Sequence, residues 1–273
     1  MSTIAQWLAQ TVIPRHEARI LLCHITGLNH AQVITHDEQM LPENQVQTLN
    51  EWLTRRVAGE PIAYLIGQRA FYGRDFTVSP ATLIPRPETE LLVEAALNKL
   101  PENGTVLDLG TGSGIIAISI AAERPDAHVF AGDISQDALK IAQKNAQNHQ
   151  TQVAFAQGSW FQAAQKLGLG KASCDVIVSN PPYIEQHDPH LSQGDLRFEP
   201  RNALTDFADG LSHFHTLANQ AKNYLKPQGW LMVEHGYDQA TAIHQIFQAA
   251  GLQNTHTLLD LAGLDRVTLA QAA

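Results

Sequence analysis

The sequence of 273 residues contains only two cysteines, Cys23 and Cys174, far apart and each within an apolar run. A disulfide framework needs more, so a reducing compartment is the natural setting. No apolar stretch approaches the roughly 18–20 residues needed to cross a bilayer. The opening Met-Ser-Thr-Ile-Ala-Gln-Trp has neither the basic start nor the apolar core of a signal peptide. Together these absences predict a soluble, cytoplasmic protein. Positive charge is also scarce: 18 Lys and Arg face 27 Asp and Glu, a formal net charge of −9. That balance argues against sequence-independent nucleic-acid binding, although a local basic patch, or protonation of some of the 13 histidines, stays compatible with it. There are no repeats and no low-complexity tract. Hydrophobic residues at 44% against 16% charged residues indicate a folded chain rather than a disordered one.

The length admits one large domain or two unequal ones, and the patterning favours two. Over residues 1–70 the apolar positions recur at helical spacing: Ile4, Trp7, Leu8 and Val12; then Ala18, Ile20, Leu21, Leu22 and Ile25, closed by Gly27; then Val46, Leu49, Trp52, Leu53 and Val57, closed by Gly59. No strand alternation interrupts them, which predicts a small helical bundle. Residues 71–87 read as a β-hairpin linker: Phe71 to Val78 suit two short strands, and Pro80, Pro85 and Pro87 forbid a helix. Its apolar content predicts that it packs against something. From residue 88 to 273 short apolar runs alternate with helix-length segments: Thr105–Gly110, His128–Asp133, Val153–Gly158, Cys174–Ser179 and Trp230–Glu234. Such alternation predicts an α/β fold with a parallel sheet covered on both faces. Thr255–Leu261 and Arg266–Ala270, joined by a short glycine-containing turn, add a C-terminal antiparallel hairpin.

The first of these strands runs into Gly110-Thr111-Gly112-Ser113-Gly114 and then a helix over Ile115–Ala122. Glycines there let the backbone approach a ligand, and a helix N-terminus offers free N–H groups. A purely steric turn would look the same. Asp133 ends the second strand about twenty residues on, where a carboxylate can accept both hydroxyls of a ribose. It could equally cap the helix that starts near Gln136, and the two readings are compatible. A dinucleotide site prefers G-x-G-x-x-G. Here the spacing is G-x-G-x-G with no Lys or Arg in the turn, which favours a nucleoside without phosphates, and S-adenosylmethionine is the obvious one. Trp160, just past the third strand, either stacks on adenine or belongs to the core.

The fourth strand delivers Asn180-Pro181-Pro182-Tyr183 to the carboxyl edge of the sheet, where ligands of open parallel sheets bind. This tetrapeptide suits a planar amide-type NH2. The Asn180 side-chain oxygen can accept one N–H and the Pro181 carbonyl, held by the rigid Pro-Pro unit, the other. Two fixed acceptors aim the nitrogen at a methyl donor and favour the charge developing on it. Tyr183 offers a face to the flat substrate. Asn180, Pro181 and Tyr183 are thus the candidate catalytic residues. The alternative is a proline-rich turn that merely ends a strand.

These residues together resemble the class I S-adenosylmethionine-dependent methyltransferases with an Asn-Pro-Pro-Tyr motif. More narrowly, Phe71-Tyr72-Gly73, Thr82-Leu83-Ile84-Pro85-Arg86-Pro87-Glu88-Thr89-Glu90, Asp195-Leu196-Arg197-Phe198-Glu199-Pro200 and Asp265-Arg266-Val267 are similar to those of the protein-(glutamine-N5) methyltransferases that modify peptide chain release factors. The likeness spans nearly the whole chain. It implies a Rossmann-like seven-stranded sheet with the C-terminal hairpin, plus a helical domain that helps dock the release factor. It further implies a monomer acting in translation termination on the glutamine of a Gly-Gly-Gln motif in class 1 release factors, with no membrane and no direct nucleic-acid substrate. Gly110, Thr111, Gly112, Ser113, Gly114, Asp133, Trp160 and Asn180 correspond to cofactor contacts. Asn180, Pro181, Pro182 and Tyr183 correspond to the glutamine pocket, with Arg86 and Glu88 helping to shape it. Two departures stand out: Ser159 replaces the acid that commonly precedes the tryptophan, and Leu264 stands where a polar residue is common.

His187, His190, His213 and His215 show no helix-borne zinc spacing and read as solvated loop residues, so no metal is expected. Glu234-His235 ends the fifth strand near the expected cleft and reads as structural, and Lys140 and Lys144 as a wet helix face. Other targets remain open: a ribosomal-protein glutamine, or the N6 amino group of adenine in nucleic acid, which is also a conjugated NH2. A non-catalytic, cofactor-binding docking protein is the last alternative, disfavoured by the intact Asn180–Tyr183 motif.

Overall fold

A computed structural model describes residues 2–273, and the chain divides into two compact units, one ending at Gln68 and the other running from Arg69 to Ala273.

The first unit is helical. A two-residue antiparallel ladder joins β1 (Ser2–Thr3) to β2 (Met40–Leu41). Its helices are α1 (Ile4–Gln10), α2 (Arg15–Thr26), α3 (His30–Thr35), α4 (Glu43–Val57) and α5 (Ile62–Ile66). Capping sets the starts of two of them: Thr3 with Gln6, and Asn29 with Gln32, each exchange side-chain and backbone hydrogen bonds across the first turn. Gly27 ends α2 in the left-handed region at φ 73°, where a side chain would be strained. Ile4, Trp7, Leu21, Leu22, Val33 and Leu49 form the core. The Arg56 guanidinium makes two 2.7 Å bonds to Glu17 and holds that carboxyl below its ordinary range.

Three expectations fail here. The β1–β2 ladder was not expected, because two residues show no alternation. Val12 and Val57, assigned to apolar faces, are 77% and 60% exposed: α1 stops at Gln10, and Val57 is the last residue of α4. The helices α3 and α5, of six and five residues, are shorter than the window over which periodicity can be read.

In the second unit, the hairpin β3 (Gln68–Phe71) and β4 (Arg74–Thr77) contributes Phe71 and Phe76 to the main core. Asn145 ties it down, accepting from Thr77 N at 2.8 Å and donating to Thr77 O at 3.0 Å. The hairpin is therefore part of this unit and not a spacer. The central sheet comprises β5 (Thr105–Leu109), β6 (His128–Asp133), β7 (Val153–Gln157), β8 (Cys174–Ser179), β9 (Leu225–Glu234), β10 (Gln253–Leu259) and β11 (Asp265–Gln271). Their order is β10-β11-β9-β8-β5-β6-β7, with the first five strands in sequence parallel and β11 antiparallel to both neighbours. The expected seven-stranded sheet with its antiparallel C-terminal pair is present, and β9 begins five residues earlier than its apolar run suggests.

Helices α6 (Glu90–Lys99), α7 (Ile115–Glu123), α8 (Gln136–Asn148), α9 (Phe161–Lys166), α10 (Ser212–Tyr224) and α11 (Ala240–Ala249) complete the unit. Two separate core clusters, built around Val106 and Val178 and around Leu107 and Ile177, use alternate residues of the same strands, as expected for a sheet buried on both faces. The chain moves outward from β5 to β6 and β7, then crosses back to β8 on the other side. The switch point thus falls between the carboxyl ends of β5 and β8, where a crevice opens in sheets of this kind.

Candidate active site

A cavity of about 300 Å³ occupies that crevice, a size typical of small-molecule sites. Gly110, Thr111, Gly112 and Ser113 form one edge. The turn is held from beneath: Gly110 N and Thr111 N both donate to Gly132 O, at 2.9 and 3.0 Å, and Thr111 Oγ1 donates to Asp108 Oδ2 at 2.6 Å. Asp108 is fully buried, its Oδ1 has no hydrogen-bond partner among the described residues, and burial pushes its carboxyl up to about 7. Gly110 adopts φ 77°, and a Cβ there would stand 3.6 Å from the Trp160 ring, so glycine keeps the cavity floor open. Gly114 lies behind the wall, against α8, instead of in the cavity lining.

Asp133 lines the cavity from the end of β6. Its Oδ2 accepts from Gly112 N and its Oδ1 from Ser135 N, both at 2.8 Å. The cap of α8 is Ser135, whose hydroxyl accepts from Ala138 N, so Asp133 is not the helix cap. Burial raises the carboxyl's pKa against the opposing effect of these N–H groups. A half-satisfied carboxylate facing a cavity is a strong acceptor for a ligand's hydroxyls. Trp160 also lines the cavity, tilted against His213 with ring centroids 4.9 Å apart. Its backbone stands at φ 46°, ψ −120°, a conformation costly for a side chain that large and typical of functional positions. His213 is half-buried on α10 and not a solvated loop residue, and burial lowers its pKa.

Asn180 and Pro182 bring the end of β8 into the same cavity. Asn180 Nδ2 donates to Thr89 Oγ1 at 3.3 Å, which leaves its carbonyl oxygen to accept from something else. Pro181 is buried and does not line the cavity, nor does Tyr183. The Tyr183 hydroxyl is turned to Glu234 Oε1 at 3.3 Å, and burial pushes it well above the ordinary phenol range. Arg86 lines the cavity and is paired with the buried Glu199, whose other oxygen accepts from Ile84 N at 2.9 Å. That pair pins the Pro-Arg-Pro segment to the Phe198–Pro200 segment. Glu88 is exposed and outside the lining.

Residues 202–207 of the remaining wall were not anticipated from sequence, whereas Thr82, Thr89 and Pro200 lie in segments that carry the family resemblance. Thr82, Thr89, Pro200, Asn202, Thr205, Asp206 and Phe207 all line the cavity. Asp206 accepts from Ala208 N, Gly210 N and Ser212 N, which shapes a tight loop and holds Phe207 at φ 60°, 55% exposed. The Asp-Phe-Ala-Asp-Gly composition is a turn signal that could have drawn attention to it. Among the described residues no group of His, Cys, Asp and Glu could hold a metal ion, and no helix is long and apolar enough to cross a membrane.

The family model described as methyltransferase domain matches residues 100–263, and the PrmC N-terminal domain model matches residues 2–67. A release factor glutamine methyltransferase from Neisseria gonorrhoeae is 51% identical over 269 residues, covering 98% of this chain and 97% of that protein. The protein of the same name from Escherichia coli is 45% identical over 260 residues, covering 94% and 92%. Among solved structures, a methyltransferase from Pyrococcus furiosus superposes with a TM-score of 0.55 at 18% identity, over 81% of this chain and 98% of that one, a likeness of fold.

Proposed function

The chain belongs to the release factor glutamine methyltransferases, and from that premise we propose that it transfers a methyl group from S-adenosylmethionine to the side-chain amide nitrogen of a release-factor glutamine, in a Gly-Gly-Gln motif. The observation that carries this reading is the meeting of two sets of residues in one cavity. Asp133 and the Gly110–Ser113 turn lie on one side, and Asn180, with its NH2 already committed to Thr89, on the other.

The residues present fit the cofactor. Asp133 retains acceptor capacity for two ribose hydroxyls, Trp160 gives an aromatic wall for adenine, and the glycine turn lets the backbone come close. The cofactor, when bound, supplies an electrophilic methyl group. The protein's own task is to present a nitrogen whose lone pair is delocalised into a carbonyl. The Asn180 oxygen accepts one N–H of the glutamine amide, which orients the nitrogen and stabilises the positive charge that grows on it, and the buried Pro181 holds Asn180 at the end of its strand. Pro182 supplies apolar wall, Tyr183 braces the turn from behind, and the Arg86–Glu199 pair fixes the rim. The helical unit assists docking, and the enzyme works as a cytoplasmic monomer.

Labelled cofactor supplied with a purified class 1 release factor, the same factor with its Gly-Gly-Gln glutamine changed, a ribosomal-protein fraction and a duplex oligonucleotide tests the reading. Label is expected in the unaltered release factor alone, and Asn180→Ala is expected to abolish it while cofactor binding stays measurable. Label in the oligonucleotide or in the altered factor, or turnover by Asn180→Ala, would overturn the proposal.

A further inference from the structure

Trp160 and His213 stand side by side in the cavity wall, with ring centroids 4.9 Å apart and planes 57° from parallel, and only the indole has a role in the reaction above. The indole sits on a strained backbone. Ser159 O accepts from Gln162 N at 3.0 Å, so the chain reverses sharply here, with Trp160 as the first central residue of the turn. At φ 46° and ψ −120° that place is one glycine normally fills. A residue this large stays there only when its surroundings fix it. On one side the ring packs over Gly110, where a Cβ would stand 3.6 Å from it. On another it meets the half-buried imidazole of His213, which reaches it from the first turn of α10.

The nitrogens of these two rings are unused. Neither Trp160 Nε1 nor either ring nitrogen of His213 has a hydrogen-bond partner among the described residues. Ring nitrogens drawn out of water are seldom left so, because lost hydration then has no replacement. Asp206 is near enough to favour protonation of His213, but its oxygens accept from Ala208 N, Gly210 N, Ser212 N and Ser212 Oγ instead. Burial outweighs that pull and lowers the His213 pKa, so near neutral pH the imidazole carries one N–H donor and one bare nitrogen acceptor. This end of the cavity thus offers a flat aromatic face with unsatisfied nitrogens at its rim. An uncharged heteroaromatic base has the matching surfaces: a π-face, and an edge of donors and acceptors. With the two planes 57° apart, a base laid parallel to the indole cannot also stack on the imidazole. It meets that ring along its edge, where the hydrogen-bonding atoms lie.

We propose that His213 is a further cofactor-binding residue, the second ring of the base subsite, which hydrogen-bonds the edge of adenine through a ring nitrogen while bracing the Trp160 indole. The inference rests on the reading of Trp160 as the wall for adenine.

The test compares the full-length wild type, His213→Phe and His213→Ala at pH 7.5. His213→Phe keeps a ring beside the indole and removes the nitrogens; His213→Ala removes both. Calorimetry with S-adenosylhomocysteine should show affinity weakened roughly 3- to 10-fold in His213→Phe and on the order of 10- to 100-fold in His213→Ala. Adenosine alone, which has the base and ribose without the amino-acid end, should lose affinity by the same factors. With release factor as substrate, the KM for S-adenosylmethionine should rise in step while kcat stays within about twofold, as expected when only binding is lost. Wild-type affinity in His213→Phe overturns the proposal. So does a loss seen with S-adenosylhomocysteine but not with adenosine, or a fall in kcat with the cofactor KM unmoved. Should His213→Ala fail to fold, His213→Phe with the two ligands decides alone. A wild type that binds neither ligand would instead reject the assignment of this cavity to the cofactor.

Discussion

Asp133 has two jobs in one carboxylate: each oxygen anchors a backbone N–H of the turns around it, and each keeps a lone pair for the cavity. Replacing it with Asn preserves size and one acceptor but removes the charge, and hydrogen bonds to a charged group contribute about 1.5–3 kcal/mol each. Asp133→Asn is therefore expected to weaken binding of the product S-adenosylhomocysteine by roughly 10- to 100-fold, as measured by calorimetry, and to lower the thermal midpoint of the ligand-free protein, because the new NH2 cannot accept from one of the two backbone N–H groups. Unchanged affinity would mean that no ligand hydroxyl reaches this carboxylate. Asp133 and Asn180 could be read from sequence because each ends an apolar strand, and a strand end fixes a side chain's place at the sheet edge. Thr89 and Glu234 could not. Thr89 meets Asn180 only through folding across 91 residues of chain and Glu234 meets Tyr183 across 51, and no local pattern marks either pair as partners. His213 was discounted for the same reason: its half-burial against Trp160 comes from α10 meeting the start of α9, which its neighbours in sequence do not reveal. The strained backbone at Trp160 likewise leaves no trace in residue order.

At the scale of elements, the turn from β5 into α7 is the one whose geometry is least replaceable. Gly114 caps α7 at φ 86°, and a Cβ there would come within 2.7 Å of Ile118 Cδ1 and 3.1 Å of Ala142 Cβ. The close approach of α8 to the start of α7 thus depends on that missing carbon. Strain in the left-handed region plus overpacking leads to an expected destabilisation of about 2–4 kcal/mol for Gly114→Ala. Thermal unfolding should show it as a clear fall in midpoint. The identical change at Gly112, where a Cβ meets nothing within 4 Å, should cost only the backbone term. Equal effects at the two positions would show that packing against α8 is irrelevant. The long elements were legible because burial on both faces of the sheet demands unbroken apolar strands, and because α8 has one wet side. The wall built by residues 202–207 was not, since its shape comes from Asp206 gathering backbone N–H groups, and a loop of that kind has no periodicity to read.

Across the whole molecule, the two compact units have separate cores: Ile4, Trp7, Leu21 and Leu49 belong to one, and the clusters on the two faces of the sheet to the other. Every residue assigned to the cofactor lies between Gly110 and Asn180, inside the second unit. A ligand that binds only the folded state stabilises it by RT ln(1 + [L]/Kd), about 2.7 kcal/mol at a hundredfold excess over Kd. For a unit of this size each kcal/mol raises the midpoint by roughly 2–4 °C. S-adenosylhomocysteine at that excess should therefore raise the melting of the second unit by about 5–10 °C and leave the helical unit where it was. The four tryptophans are divided evenly between the units, Trp7 and Trp52 in one and Trp160 and Trp230 in the other, so each can be followed by its own fluorescence. A variant that keeps Trp160 and Trp230 should report the ligand-dependent shift, and the signal of Trp7 and Trp52, taken as the difference from the unaltered chain, should not. If the signal of Trp7 and Trp52 shifted by the same amount, the helical unit would unfold only together with the sheet, and the two cores would have to be counted as a single cooperative structure.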